Sequence, residues 1–144
     1  PYEEVAYDVY TLDNSHQQKG AGMIGRLKDP MYSLDFLKML KDTFGGVVRY
    51  TSLVKDQVSK VAWCGGSGSF LLSDAKAAGA DVFLSSDFKY HQFFDAEGEI
   101  IIADIGHYEN EQFTKELLAE ILIKKFPNFA ILLTERNTNP INYL

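Results

Sequence analysis

IIIADIGHYENEQ, residues 100–112, opens as an apolar run of strand length and closes with a histidine and two glutamates where a helix begins. On an α-helix, His107 and Glu111 are four residues apart and project from one face, a turn from each other. Phe113, Leu117, Leu118, Ile121 and Leu122 follow at helical spacing, which predicts that they face the core. At about 100° per residue, His107 and Glu111 fall within the same arc and are predicted to point inward. An inward carboxylate needs a metal cation or a basic group beside it, because an unpaired buried charge is very costly. The positive end of the helix dipole repels a cation, so neighbouring anions matter. Two readings stand for Asp104, Glu109 and Glu111: they make a divalent site tolerable, or they complement the dipole while His107 bonds the sheet edge. One histidine and one carboxylate do not complete a zinc, iron or manganese site, since catalytic sites typically use about three protein ligands. His16 and His91 are the other histidines.

The segments before this stretch alternate. SLDFLKMLKDTFGG, residues 33–46, reads as a helix with Ser33 as candidate N-cap, Leu34, Leu37, Leu40 and Phe44 at helical spacing, and paired glycines at its end. Strand patterns appear in MIGRL (23–27), VVRYTSL (47–53), KVAWC (60–64), VFLSS (82–86) and IIIADI (100–105), with FAILLTE (129–135) as a last candidate. Between them, FLLSDAKAAG, FKYHQFFDA and the segment after Gly106 read as helical. Such βαβα order with apolar strands predicts a layered α/β/α-type domain around a largely parallel or mixed sheet.

Ligands of open parallel sheets lie outside the carboxyl ends of the strands, and three strand ends here carry polar residues. In CGGSGS (64–69) the glycines permit a sharp turn and close approach, and Ser67 and Ser69 are candidate caps for the next helix. The turn suits either a phosphate or a plain strand-to-helix connection; it lacks the small residue of a dinucleotide fingerprint at Leu71 and the lysine of a P-loop. In SSDFKYH (85–91), Asp87 is a candidate cap, and together with His91 it either positions a proton or binds a cation. The third end is ADIGHYENE (103–111). Gly66, Ser67, Asp87, His91 and Asp104 are candidate site residues at these strand ends.

The totals bound the function. At 144 residues, 46% hydrophobic and 24% charged, the chain has enough apolar content for a folded core. A net charge of −6 and a pI near 5.0 argue against nucleic acid and anionic membranes as partners. Cys64 is the single cysteine, which excludes an internal disulfide and a multi-thiolate zinc site and fits a reducing cytoplasm. No apolar run approaches the roughly 18 residues of a membrane span. Residues 1–10, with Val5, Tyr7 and Val9 alternating, predict a strand already under way, so the chain reads as a piece of something longer, with a boundary near residue 20.

CGGSGSFLLSDAKAAGADVFLSSDFKYHQFFDA followed by DIGHYENE closely resembles the second half of the NGG-one interacting factor three-like proteins, also called GTP cyclohydrolase I type 2 homologues. PYEEVAYDVYTLDN resembles the closing strand of the PII-like domain inserted between the halves of many bacterial members. That places residues 1–19 in the tail of the PII-like insert and its linker, and 20–144 in the C-terminal half of a dinuclear-metal-binding domain. The resemblance implies two divalent metal ions per complete site, with His107 and Glu111 as ligands and the remaining histidines and an aspartate in the half that precedes this chain. By analogy with the family, Asp87, His91, Asp104 and the turn at Gly66 and Ser67 would line the same cleft, and the resemblance also implies a toroidal homohexamer and an unidentified small-molecule ligand. Three functions fit: a metal-dependent hydrolase, a non-catalytic metal- or nucleotide-binding regulatory protein, or a metal store.

Overall fold

The computed structural model describes residues 6–10 and 20–144. Residues 6–10, within the predicted opening strand, are exposed and form no strand; the rest of that strand and His16 lie outside the described residues.

Five strands form one mixed sheet: β1 (Met23–Tyr32), β2 (Arg49–Tyr50), β3 (Gln57–Ser67), β4 (Val82–Ser86) and β5 (Ile101–Asp104). They lie in the order β1-β3-β4-β5-β2. The three central strands are parallel, and an antiparallel strand closes each edge. Pro30 falls where the β1 register slips, between Arg26 and Met31, as expected of a residue with no N–H to give a ladder.

Burial explains why β4 and β5 are apolar up to the polar residues at their carboxyl ends: both faces of the sheet are covered. On one face, Phe36, Leu37, Leu40 and Phe44 of α1 (Ser33–Phe44) pack on Val58, Val82, Leu84, Ile101 and Ala103. On the other, Leu72 and Ala75 of α2 (Leu72–Ala77), with Phe88 and Ala96, pack on Ala62, Phe83 and Ile102. Alternate residues of one strand thus feed opposite cores, each large side chain contributing about 1.5–3 kcal/mol. The α/β layering predicted from the sequence is the observed fold.

Local expectations fare unevenly. Ser33 is the first helical residue rather than the cap; its hydroxyl donates to Lys55 O at 2.5 Å and its N–H to Asp56 O at 2.9 Å, tying the helix start to the loop before β3. Ser67 and Ser69 make no capping bond. Ser67 ends β3 opposite Ser86, and Ser69 Oγ accepts from Gln92 Nε2. FKYHQFFDA forms a 3-10 helix, Tyr90–Ala96. FAILLTE forms no strand and is largely exposed. The predicted long helix is two helices, α3 (His107–Glu111) and α4 (Thr114–Lys125), separated at Gln112 and Phe113. Against expectation, Phe113, Leu117, Leu118, Ile121 and Leu122 are about half exposed, and Ala119 is the buried residue of α4. Both faces of the sheet are already occupied by α1 and α2, so the apolar stripe of α4 finds no surface among the described residues. No helix among them is long and apolar enough to cross a membrane.

Candidate metal centre

The carboxyl ends of β3, β4 and β5 are joined by buried polar groups that the sequence analysis did not single out. Ser85 Oγ donates to Gly66 O at 3.0 Å, and Ser86 Oγ donates to Gly106 O at 2.9 Å. Asn110, buried on α3, donates to Ser86 Oγ at 3.0 Å and to Cys64 O at 3.3 Å, and accepts from Trp63 Nε1 at 3.1 Å. Two adjacent serines closing an otherwise apolar strand were the available sequence signal. Buried hydroxyls persist only when bonded, and here they lock three loops into register.

Asp104 is the second element of this frame. Its carboxylate pairs with Arg49 and accepts Phe88 N–H at 2.9 Å and Gly106 N–H at 3.0 Å. The residue is 2% exposed, so it does not line the cleft as expected. It holds the peptide just after Asp87 and the peptide just before His107. Being the last residue of a buried strand, it points between loops rather than into solvent.

On this frame Asp87, His107 and Glu111 converge. His107 Nδ1 is 2.6 Å from Asp87 Oδ2, and His107 Nε2 is 3.2 Å from Glu111 Oε2. Their side chains are 47%, 50% and 52% exposed for His107, Asp87 and Glu111. The expectation that His107 and Glu111 share one helical face holds; the expectation that they point into the core does not. Asp87 bonds the histidine instead of capping a helix, from a left-handed backbone (φ 59°) that aspartate tolerates better than most residues. Gly66 lies against the group: a Cβ there would stand 2.5 Å from Glu111 Oε1 and 3.4 Å from His107 Cε1. Ser67 is exposed beside it. His91 is exposed on the 3-10 helix and makes no hydrogen bond or ion pair with these groups. Among the described residues, no three or more His, Cys, Asp or Glu side chains form a complete metal-ligand cluster.

The buried carboxylate of α3 is Glu109, whose Oε2 has no hydrogen-bond partner among the described residues. It packs against Gly46 and Gly106. The Tyr143 phenol beside it is held above its ordinary value, first by partial burial and then by the Glu109 charge.

The hydrogen bond that His107 Nδ1–H donates to Asp87 raises the His107 pKa above the ordinary 6.5, desolvation opposing it and the charges of Asp87 and Glu111 adding to the rise. A raised folded-state value means that protonated His107 adds stability below about pH 6.5 and loses it as pH rises through the higher value. Half exposure keeps this contribution small. In chelator-treated protein, NMR titration of His107 is expected to show a midpoint above 6.5, and Asp87→Asn, which tolerates the same backbone, to move it back down; an unchanged midpoint would assign the shift elsewhere.

Fold and site together define an open α/β domain that presents an imidazole between two carboxylates at the ends of its parallel strands. The chain belongs to the Duf34/NIF3 (NGG1p interacting factor 3) family, which it matches over residues 4–140. The GTP cyclohydrolase 1 type 2 homolog of Bacillus subtilis (strain 168) is 36% identical over 150 residues, covering 100% of this chain and 40% of that protein. The protein of the same name from Listeria innocua is 42% identical over 109 residues, covering 74% of this chain and 29% of the relative. Among solved structures, a Bacillus cereus protein related to NIF3 matches with a TM-score of 0.75 at 36% identity, over 100% of this chain and 41% of the other. Staphylococcus aureus hypothetical protein SA1388 matches with a TM-score of 0.78 at 29% identity, over 85% and 43%. The chain therefore spans less than half the length of these relatives.

Proposed function

We propose that His107 and Glu111 are ligands in a dinuclear divalent-metal site of a metal-dependent hydrolase, completed by residues of the longer protein that the relatives represent. The observation that carries this reading is the arrangement around the imidazole. If Nδ1–H donates to Asp87, Nε2 is left as a lone pair facing the Glu111 carboxylate at 3.2 Å. Two acceptors facing each other repel unless a proton or a cation lies between them. Ligand atoms each roughly 2.1 Å from one ion stand roughly 3.0–3.4 Å apart at right to tetrahedral angles, so the observed separation suits a shared cation. A carboxylate on the far ring nitrogen is also the usual support of a metal-bound histidine.

When bound, two divalent ions would supply Lewis acidity for attack of water on a phosphate ester or on a purine-ring carbon. Asp87 would fix the tautomer and the plane of the ring. Glu111 would contribute negative charge beside a helix N-terminus that disfavours cations. Gly66, having no side chain, keeps the mouth of the group clear. Imidazole with carboxylate suits zinc, iron and manganese alike.

Elemental analysis of the full-length protein tests this. His107→Ala is expected to lose most of its bound metal and its hydrolysis of model phosphoesters, with the far-ultraviolet CD spectrum retained. Full metal content in that variant would overturn the assignment.

A further inference from the structure

Three strand ends meet at one side-chain amide. Asn110 gives both amide hydrogens, to Ser86 Oγ at 3.0 Å and to Cys64 O at 3.3 Å, and its oxygen accepts Trp63 Nε1–H at 3.1 Å. The residue is 8% exposed, so these bonds are made away from bulk solvent. Their polarity is fixed. Because Ser86 Oγ accepts from the amide, its own proton goes to Gly106 O at 2.9 Å, and the same carbonyl accepts Asn110 N–H at 3.1 Å. Asn110 thus grips the peptide before His107 twice, once through its backbone and once through Ser86.

Each bonded position adjoins the candidate metal centre. Ser86 precedes Asp87, Gly106 precedes His107, Asn110 precedes Glu111, and Cys64 lies two residues before Gly66. Among the described residues, the side chains of Asp87, His107 and Glu111 bond only one another, and all three are about half exposed. Exposed pairs are weak, so the three groups do not fix their own spacing. The buried frame beneath them does. Asp104 holds the peptides beside Asp87 and His107, but of the two buried residues only Asn110 adjoins Glu111.

We infer that Asn110 is a positioning residue of the site: its amide sets where His107 and Glu111 stand relative to each other and to Asp87, without touching an ion. The inference rests on the proposed role of His107 and Glu111 as ligands, and it depends on the order of donors. An aspartate at position 110 has the same shape but offers acceptors where the amide gives hydrogens. It repels Cys64 O and draws the Ser86 proton away from Gly106 O. Even protonated, it has one hydrogen where the amide has two. It also adds negative charge next to Glu111, which by Coulomb attraction alone strengthens cation binding. Positioning and simple charge therefore predict opposite signs for one substitution.

The test is calorimetric titration of chelator-treated full-length protein with zinc and with manganese, beside NMR of the nitrogens of the neutral His107 ring, which shows which of them carries the proton. Asn110→Asp is expected to bind metal roughly 10- to 100-fold more weakly, the range for loss of a group that orients a ligand. In the chelator-treated wild type the proton is expected on Nδ1, facing Asp87. In Asn110→Asp, and in the milder Ser86→Ala, a mixture of the two ring forms is expected. Val58→Ala, which leaves a cavity in the core at the other end of β3, controls for lost stability and is expected to keep both the affinity and the Nδ1 form. Unchanged or tighter metal binding by Asn110→Asp, a ring signal unmoved in both variants, or an equal loss in Val58→Ala would each overturn the assignment. A wild type that binds no metal while the variants still move the ring signal would overturn the metal-site reading and uphold Asn110 as the residue that holds His107 against Asp87.

Discussion

Asp104→Ala is expected to lower the stability by about 2–6 kcal/mol, because it strands two backbone N–H groups at roughly 1–3 kcal/mol each. The ion pair with Arg49 is the more conspicuous interaction but the smaller term. Arg49 is half exposed and is resolvated once released, whereas the Phe88 amide is buried and has no other partner. Against a typical domain stability of about 5–15 kcal/mol, the loss is large enough to shift a urea midpoint far outside error. Asp35→Ala provides the comparison: its pair with Lys38 is exposed on both sides, and its removal is expected to cost about 0–1 kcal/mol. A midpoint for Asp104→Ala within the range of Asp35→Ala would show that the Asp104 hydrogen bonds do not hold the strand ends. Asp104 anchors the peptides next to both Asp87 and His107, so the same variant is expected to weaken metal retention at temperatures where it stays folded.

The legibility of this chain follows from how far each signal reaches. Val82–Ser86 and Ile101–Asp104 are readable because two covered sheet faces demand apolar residues up to the strand ends, and such runs stand out. The β2 edge was harder: VVRYTSL looks like a full strand, but only Arg49 and Tyr50 pair with β5. FAILLTE failed for the reason that stranded α4. Apolar content states that a surface wants cover, and among the described residues none is left to provide it.

At the site, the four-residue spacing of His107 and Glu111 was decisive, since it needs only one helical turn to be right. Their inward orientation does not follow from the spacing of Leu117 and Ile121, because the helix is interrupted at Gln112 and Phe113 and the phase is lost there. Within the short α3, Glu109 and Asn110 are the buried residues, and His107 and Glu111 face the opening. Arg49 had no local signal at all: it lies 55 residues from Asp104, and the contact exists only because β2 pairs with β5. Asp87 was visible as a polar residue after a strand, but its partner, 20 residues on, was not.

Gly66→Val is expected to abolish binding at the proposed metal site while leaving most of the fold in place. At φ 62° the backbone is in the left-handed region, which costs a residue with a Cβ about 1–2 kcal/mol. The added Cβ also meets Glu111 Oε1 at 2.5 Å, well inside contact distance. Glu111 is half exposed and can swing away, so relief comes by moving the carboxylate rather than by breaking the sheet. That movement separates it from His107 Nε2, and metal affinity is expected to fall at least tenfold, as when a group supporting a ligand is disturbed. Gly65→Ala, one residue earlier, meets nothing within 4 Å and is expected to keep both metal and stability. Isothermal titration of the stripped full-length proteins with zinc and manganese reads the difference. Equal affinities for the two variants would mean that the 3.2 Å approach of His107 and Glu111 is not what holds the ion.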